Sequence, residues 1–178
     1  LEMTDKTRKI FYPATLFIGL LLMIWQIEIY RNTIIDFRLL LGFVIIVTII
    51  TFLIDVKNYS KTYYEYSNTS LIFYSLLQYL FSAGLISCSA ITLTNYYFAD
   101  KDPIKKRYTI IHRSSLTGGK YHRDERKPTF YINYKGTEKE LVFPHKYFDN
   151  MHSYKKIEFE VNQGLLGFDI LKNKRLIK

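Results

Sequence analysis

The residues best suited to chemistry lie in His112–Pro128, HRSSLTGGKYHRDERKP, between two runs that read as β-strands. Arg113, Lys120, Arg123, Arg126 and Lys127 are the candidate contacts for an anionic ligand or for lipid phosphate. Basic residues held near an anionic leaflet contribute about 1 kcal/mol each. Asp124 and Glu125 dilute that attraction, and a solvated loop is the plain alternative. Gly118-Gly119-Lys120 is not a phosphate loop: the GxxxxGK[ST] spacing is missing and no helix is predicted after it. A glycine pair in a long hairpin loop ordinarily just lets the chain turn.

Other site chemistries find less support. The four histidines, His112, His122, His145 and His152, show no zinc-type spacing, and no cysteine accompanies them. Ser114, Ser115 and Thr117 lie near His112 and His122 in sequence, but no strained GxSxG elbow occurs. Asp124 and Glu125 are adjacent, so their side chains would diverge in a strand. No catalytic residue, metal site or cofactor is therefore expected. Thr129–Tyr134, TFYINY, offers rings that could stack on bases. Yet Phe130, Ile132 and Tyr134 share one face, whose ordinary use is a core, so nucleic acid is not an expected partner.

The elements that must position these residues divide sharply in composition. Residues 1–100 carry seven basic and seven acidic side chains, whereas 101–178 carry eighteen basic and nine acidic. The whole formal net charge of +9 thus belongs to the second half. A mean hydropathy of −0.04 averages an apolar half with a polar one. Leu1-Glu2 ahead of Met3 reads as a remnant of cloning, and 1–9 as an N-terminal tail.

Residues 10–100 read as a membrane region with three spans: Tyr12–Ile27, Leu39–Ile54 and Leu71–Phe98. About 20 apolar residues cross a bilayer as a helix. The second and third runs contain no charge, and no polar stripe recurs at 3.6 residues. The first run ends in Trp25-Gln26-Ile27-Glu28, not in a small-residue cleavage site, so a retained helix is expected. Tyrosines and Trp25 gather near the run ends, as at a headgroup boundary. Glu28 and Asp55 are placed at helix ends within reach of water, which leaves transport without a central charge. Cys88, the only cysteine, reads as a buried structural thiol. Ser82, Ala83, Gly84, Ser87 and Ala90 form a candidate helix-packing face, for the bundle itself or for a homo-oligomer through the third helix.

Residues 101–178 read as a basic, extramembrane β domain. Tyr108–Arg113, Thr129–Tyr134, Glu138–Phe143, Ile157–Val161 and Leu165–Leu171 are the expected strands, with turns at Lys135-Gly136-Thr137 and Asn162-Gln163-Gly164. This predicts three transmembrane helices followed by an approximately five-stranded antiparallel barrel or sandwich. Lys6, Arg8 and Lys9 place the N-terminus in the cytoplasm, and three crossings then place the β domain outside it. Lys105, Lys106 and Arg107 pull the other way.

The function expected is that of a multi-pass membrane protein with a non-catalytic β domain. Its expected partner, besides the bilayer, is a protein, a lipid headgroup or a small anionic ligand. One alternative is an effector whose β domain binds a cytoplasmic nucleotide-like signal while its helices assemble and perturb the bilayer. Another is an enzyme acting on lipid headgroups.

Overall fold

The computed structural model describes residues 3–63, 68–119 and 125–178. They form two compact units. Unit 1 comprises residues 1–30 and 35–94, and unit 2 comprises 31–34 and 95–178. Residues 31–34, the last two of the first helix and the first two after it, thus belong with the C-terminal half.

Unit 1 is helical. Helix α1 runs Asp5–Asn32 and α2 runs Phe37–Thr62. Asp36 caps α2 by accepting from the Arg38 N–H at 2.8 Å. Helix α3, Asn68–Tyr79, continues through a π-helical turn at Leu80–Gly84 into α4, Leu85–Tyr97. Three helical stretches, Asp5–Asn32, Phe37–Thr62 and Ser70–Tyr97, are long and apolar enough to cross a membrane. Leu21, Ile24, Leu53 and Ile54 point outward, each about two-thirds exposed or more, which suits a lipid-facing surface.

Packing inside the bundle depends on small residues. A Cβ on Gly19 would lie 1.8 Å from the Phe81 carbonyl oxygen, so α1 passes directly over the π turn. A Cβ on Gly84 would meet Thr48 Oγ1 at 2.8 Å and Val44 Cγ1 at 3.0 Å on α2. Of the predicted packing face, Ser82 and Gly84 are buried, Ala83 and Ser87 half-buried, and Ala90 exposed. Cys88 is buried, with Gln26 Nε2 at 3.9 Å from its sulfur.

The β half of unit 2 contains, among the described residues, six strands in two three-stranded antiparallel sheets, rather than five strands or a closed barrel. One sheet is ordered β1 (Ile104–Thr109), β5 (Lys156–Gln163), β6 (Asp169–Ile177). The other is ordered β2 (His112–Leu116), β3 (Lys127–Tyr134), β4 (Thr137–Val142). The extra strand arises because the expected Tyr108–Arg113 strand is two strands. At Ile110-Ile111 the chain changes sheets: Ile110 N–H donates to Lys155 C=O, and Ile111 N–H to Tyr131 C=O. The last strand is also displaced. Leu165–Phe168 belong to a turn with Gly167 at φ +83, and β6 begins at Asp169. The β3–β4 hairpin turns at Lys135-Gly136, whose φ values of +52 and +87 suit a two-residue turn.

The two sheets share one core of Phe130, Ile132, Tyr134, Leu141, Ile157, Phe159, Val161 and Leu171. Alternation along β3 and β5 makes this core: every second residue turns inward. Burying side chains of this size contributes about 1.5–3 kcal/mol each.

Candidate functional site

Of the residues proposed as anion contacts, Arg113, Arg126 and Lys127 are described. Arg113, half-buried on β2, donates from Nε to Met151 C=O at 3.2 Å and from Nη2 to Tyr154 C=O. It fastens the connection between β4 and β5, with its donors turned to backbone. Arg126 and Lys127 are exposed neighbours at the start of β3. The Arg126 carbonyl lies 2.8 Å from His145 Nδ1. Lys120 and Arg123, with His122, lie outside the described residues. His112 stacks on Tyr131, 3.9 Å between centroids, and lies 3.6 Å from Glu138 Oε1. Among the described residues, no three of His, Cys, Asp and Glu converge as a metal site.

A charged surface is built instead on the β1–β5–β6 sheet. Cross-strand register places Lys105, Glu160 and Lys172 in one row, and Arg107, Glu158 and Arg175 in the next. Lys172 and Arg175 are three apart and would face opposite ways on a regular strand. The register shift between Glu158 and Glu160 inserts an extra residue in β6 and brings both to one face. Asn173, at φ +49, donates from Nδ2 to Glu160 Oε2 at 2.5 Å. Arg107 Nε pairs with Glu158 Oε2 at 2.5 Å and, through that hydrogen bond, holds the Glu158 carboxyl below its usual range. Register thus sets four cations and two carboxylates in adjacent rows, a net positive surface, with the Lys172 ammonium over the Tyr96 ring. Its shallow depression is lined by Lys105, Glu158, Phe159, Glu160, Asn173 and Arg175.

The second feature of unit 2 is the segment Arg31–Ile34. Thr33 forms an antiparallel bridge to Ile170 at the open edge of β6, and Ile34 N–H donates to Asp169 C=O at 2.8 Å. Thr33 is buried and Ile34 packs on the domain core. Lys139 Nζ on β4 donates to Thr33 C=O at 2.7 Å, and Lys174 Nζ to Asn32 Oδ1 at 2.8 Å. These four residues are a strap that both sheets hold. Burial, with Lys174 adding to it, pushes Lys139 down to about 8. Asp169 completes the junction: Oδ2 accepts from Tyr134 Oη at 2.8 Å and from Lys135 Nζ at 2.7 Å. Burial and this carboxylate push the Tyr134 hydroxyl up. The same hydrogen bond pushes the exposed Lys135 up.

Unit 1 has its own polar cluster. Asp55 is half-buried and about two turns short of the end of α2, not at that end, because α2 continues to Thr62 beyond the apolar run. Its Oδ2 accepts from Tyr12 Oη of α1 at 2.8 Å and Tyr79 Oη of α3 at 3.0 Å, and Oδ1 accepts from Asn58 at 2.8 Å. Gln78 donates to the Tyr12 carbonyl at 2.7 Å. A second layer joins Gln26 and Thr92, whose hydroxyl donates to Gln26 Oε1 at 2.7 Å. Each layer ties helices together through polar groups that lipid could not satisfy.

Compared with known proteins, the chain matches no family model, no curated protein and no solved structure. Its own residues carry the functional reading.

Proposed function

We propose that this chain is a membrane-anchored, non-catalytic sensor. Its β domain takes an anionic ligand on the β1–β5–β6 face, and the bound state reaches α1 and α2 through the Arg31–Ile34 strap. The strap is the observation that carries this reading. A plain inter-helix link would be solvated, and a plain anchor would join its domain by one tether. Here the link is the pairing partner of a strand edge, held by Lys139 from β4 and Lys174 from β6. Strand β6 carries both ends of the proposed coupling: Lys172 and Arg175 for the ligand, Asp169 and Ile170 for the strap. The concentration of net charge in residues 101–178 supports an anionic ligand. In this reading the N-terminus is cytoplasmic and the β domain lies on the other side, following Lys6, Arg8 and Lys9.

The test uses the full chain in nanodiscs, with spin labels on the exposed positions Ile10 and Leu53. Inorganic phosphate, ATP and an acidic peptide are titrated in turn. A probe that binds should shift the Ile10–Leu53 distance distribution. Lys172→Glu with Arg175→Glu should abolish binding, and Ile34→Pro, which removes the N–H given to Asp169, should leave binding but remove the shift. Binding with no response of the helices would count against the coupling, and turnover of ATP would overturn the non-catalytic reading.

A further inference from the structure

The turn Gly164–Phe168, between β5 and β6, has the wrong composition for water. Reverse-turn tips favour Gly, Asn, Asp, Ser and Pro. This one presents Leu165 and Leu166, which are 60% and 47% exposed. Exposed apolar surface is disfavoured in water relative to a buried or lipid setting.

The turn is also tightly fixed. Asn95 is only 1% exposed. Its Nδ2 donates to Phe168 C=O and its Oδ1 accepts from Leu166 N–H, both at 3.0 Å. Gly164 makes room for this clamp, since a Cβ there would lie 2.3 Å from both polar atoms of Asn95. A second tie follows: Asp100 N–H donates to Gln163 C=O at 2.8 Å, and Asn162 Nδ2 to Asp100 C=O at 2.7 Å.

Asn95 belongs to the last turn of the third membrane-crossing helix, which ends at Tyr97. At about 1.5 Å per residue, it lies about 3 Å before that end. The turn is therefore tied directly to the end of that helix. Close to Asn95 along the chain stand groups suited to a headgroup layer. Tyr97 and Phe98 are 59% and 69% exposed. Lys172 Nζ lies 5.1 Å from the Tyr96 ring centroid, and Lys101 is exposed just beyond. Aromatic rings and long cationic side chains collect at that depth.

We infer that the Gly164–Phe168 turn is a lipid-inserted anchor, with Leu165 and Leu166 seated among the headgroups and upper acyl chains of the bilayer that the third helix crosses. The occupant is lipid, because the clamp is made by a residue of the span itself. The inference stands apart from the sensing proposal, and neither depends on the other.

The experiment uses the full chain with Cys88→Ser and Leu165→Cys, labelled with an environment-sensitive dye and reconstituted in phosphatidylcholine vesicles. A second series carries Leu166→Cys. Lipids bearing a nitroxide at the headgroup, or at carbon 5 or 12 of the acyl chain, report depth, and aqueous iodide reports exposure. The expected result is blue-shifted emission, with headgroup and carbon-5 quenching at least threefold stronger than carbon-12 quenching, and weak iodide quenching. Adding Asn95→Ala should lower the lipid quenching while near-UV circular dichroism of the domain persists. Strong iodide quenching with little from any lipid nitroxide, at both positions, would overturn the inference. Strongest quenching at carbon 12 would overturn the depth assigned.

Discussion

Lys139 is the side chain whose charge state most affects the strap. An ordinary lysine titrates at 10.5, and burial lowers this one to about 8. Between those values the unfolded chain binds more protons than the folded one, so this group adds stability as pH rises from about 8 to 10.5. Below 8 the folded domain holds a half-buried ammonium against its preference. A reductively methylated sample observed by NMR should show one lysine resonance titrating near 8, well apart from the rest. Lys139→Met should flatten the stability increment across that window. If every lysine titrates together near 10.5, Lys139 is not buried in solution. Gly164 allows a second prediction at this scale. Gly164→Ala should destabilise by about 1–3 kcal/mol through its collision with Asn95. Asn95→Ala removes the colliding atoms, so the double variant should be more stable than the two single losses summed, by a measurable coupling energy.

Among the elements, the contact of α1 with the π turn is the most sensitive to volume. Gly19→Ala places a methyl against a backbone carbonyl that no rotamer change can move. Unfolding of the helical unit in mixed micelles should show a loss of about 1–3 kcal/mol, against little change for Gly42→Ala, where a Cβ meets open space. Tyr79→Phe, which deletes one of the hydroxyls on Asp55, should cost about 0.6–1.7 kcal/mol, the range of hydrogen bonds between membrane helices. The spans were legible in the sequence because uncharged runs such as Leu39–Ile54 have few alternatives to a bilayer. The β3–β4 hairpin was legible because Lys135-Gly136 is a local signal between alternating residues. The rest depended on distant partners. Ile110-Ile111 looks like the middle of a strand until two different sheets claim its N–H groups. Leu165-Leu166 looks like a strand because apolar residues seldom occupy an exposed turn. Asp55 reads as a terminal carboxylate until Tyr12 and Tyr79 arrive from other helices. Thr33 and Asn95 carry no sequence signal at all, since each matters through residues more than 70 positions away.

At the scale of the molecule, the proposed placement of residues 101–178 outside the cytoplasm makes a direct prediction. In a Cys88→Ser background, single cysteines at the exposed positions Ser114 and Asn150 should react with an impermeant thiol reagent on intact cells. Reaction only after lysis would put the β domain in the cytoplasm, and the ligand would then be sought among cytoplasmic anions.

The strap also dictates an order of assembly. Its partners lie far along the chain: Lys139 is 106 residues from Thr33, and Lys174 is 142 residues from Asn32. During synthesis the first two helices enter the bilayer long before β4 and β6 leave the ribosome. The Arg31–Ile34 segment therefore meets its partners only when the final strand arrives to receive it. Closure of so long a loop is slow compared with local pairing. The seam between the helix link and β6 becomes the last stitch in biogenesis, and chains that stop before Asp169 would leave it open for quality-control proteases to find.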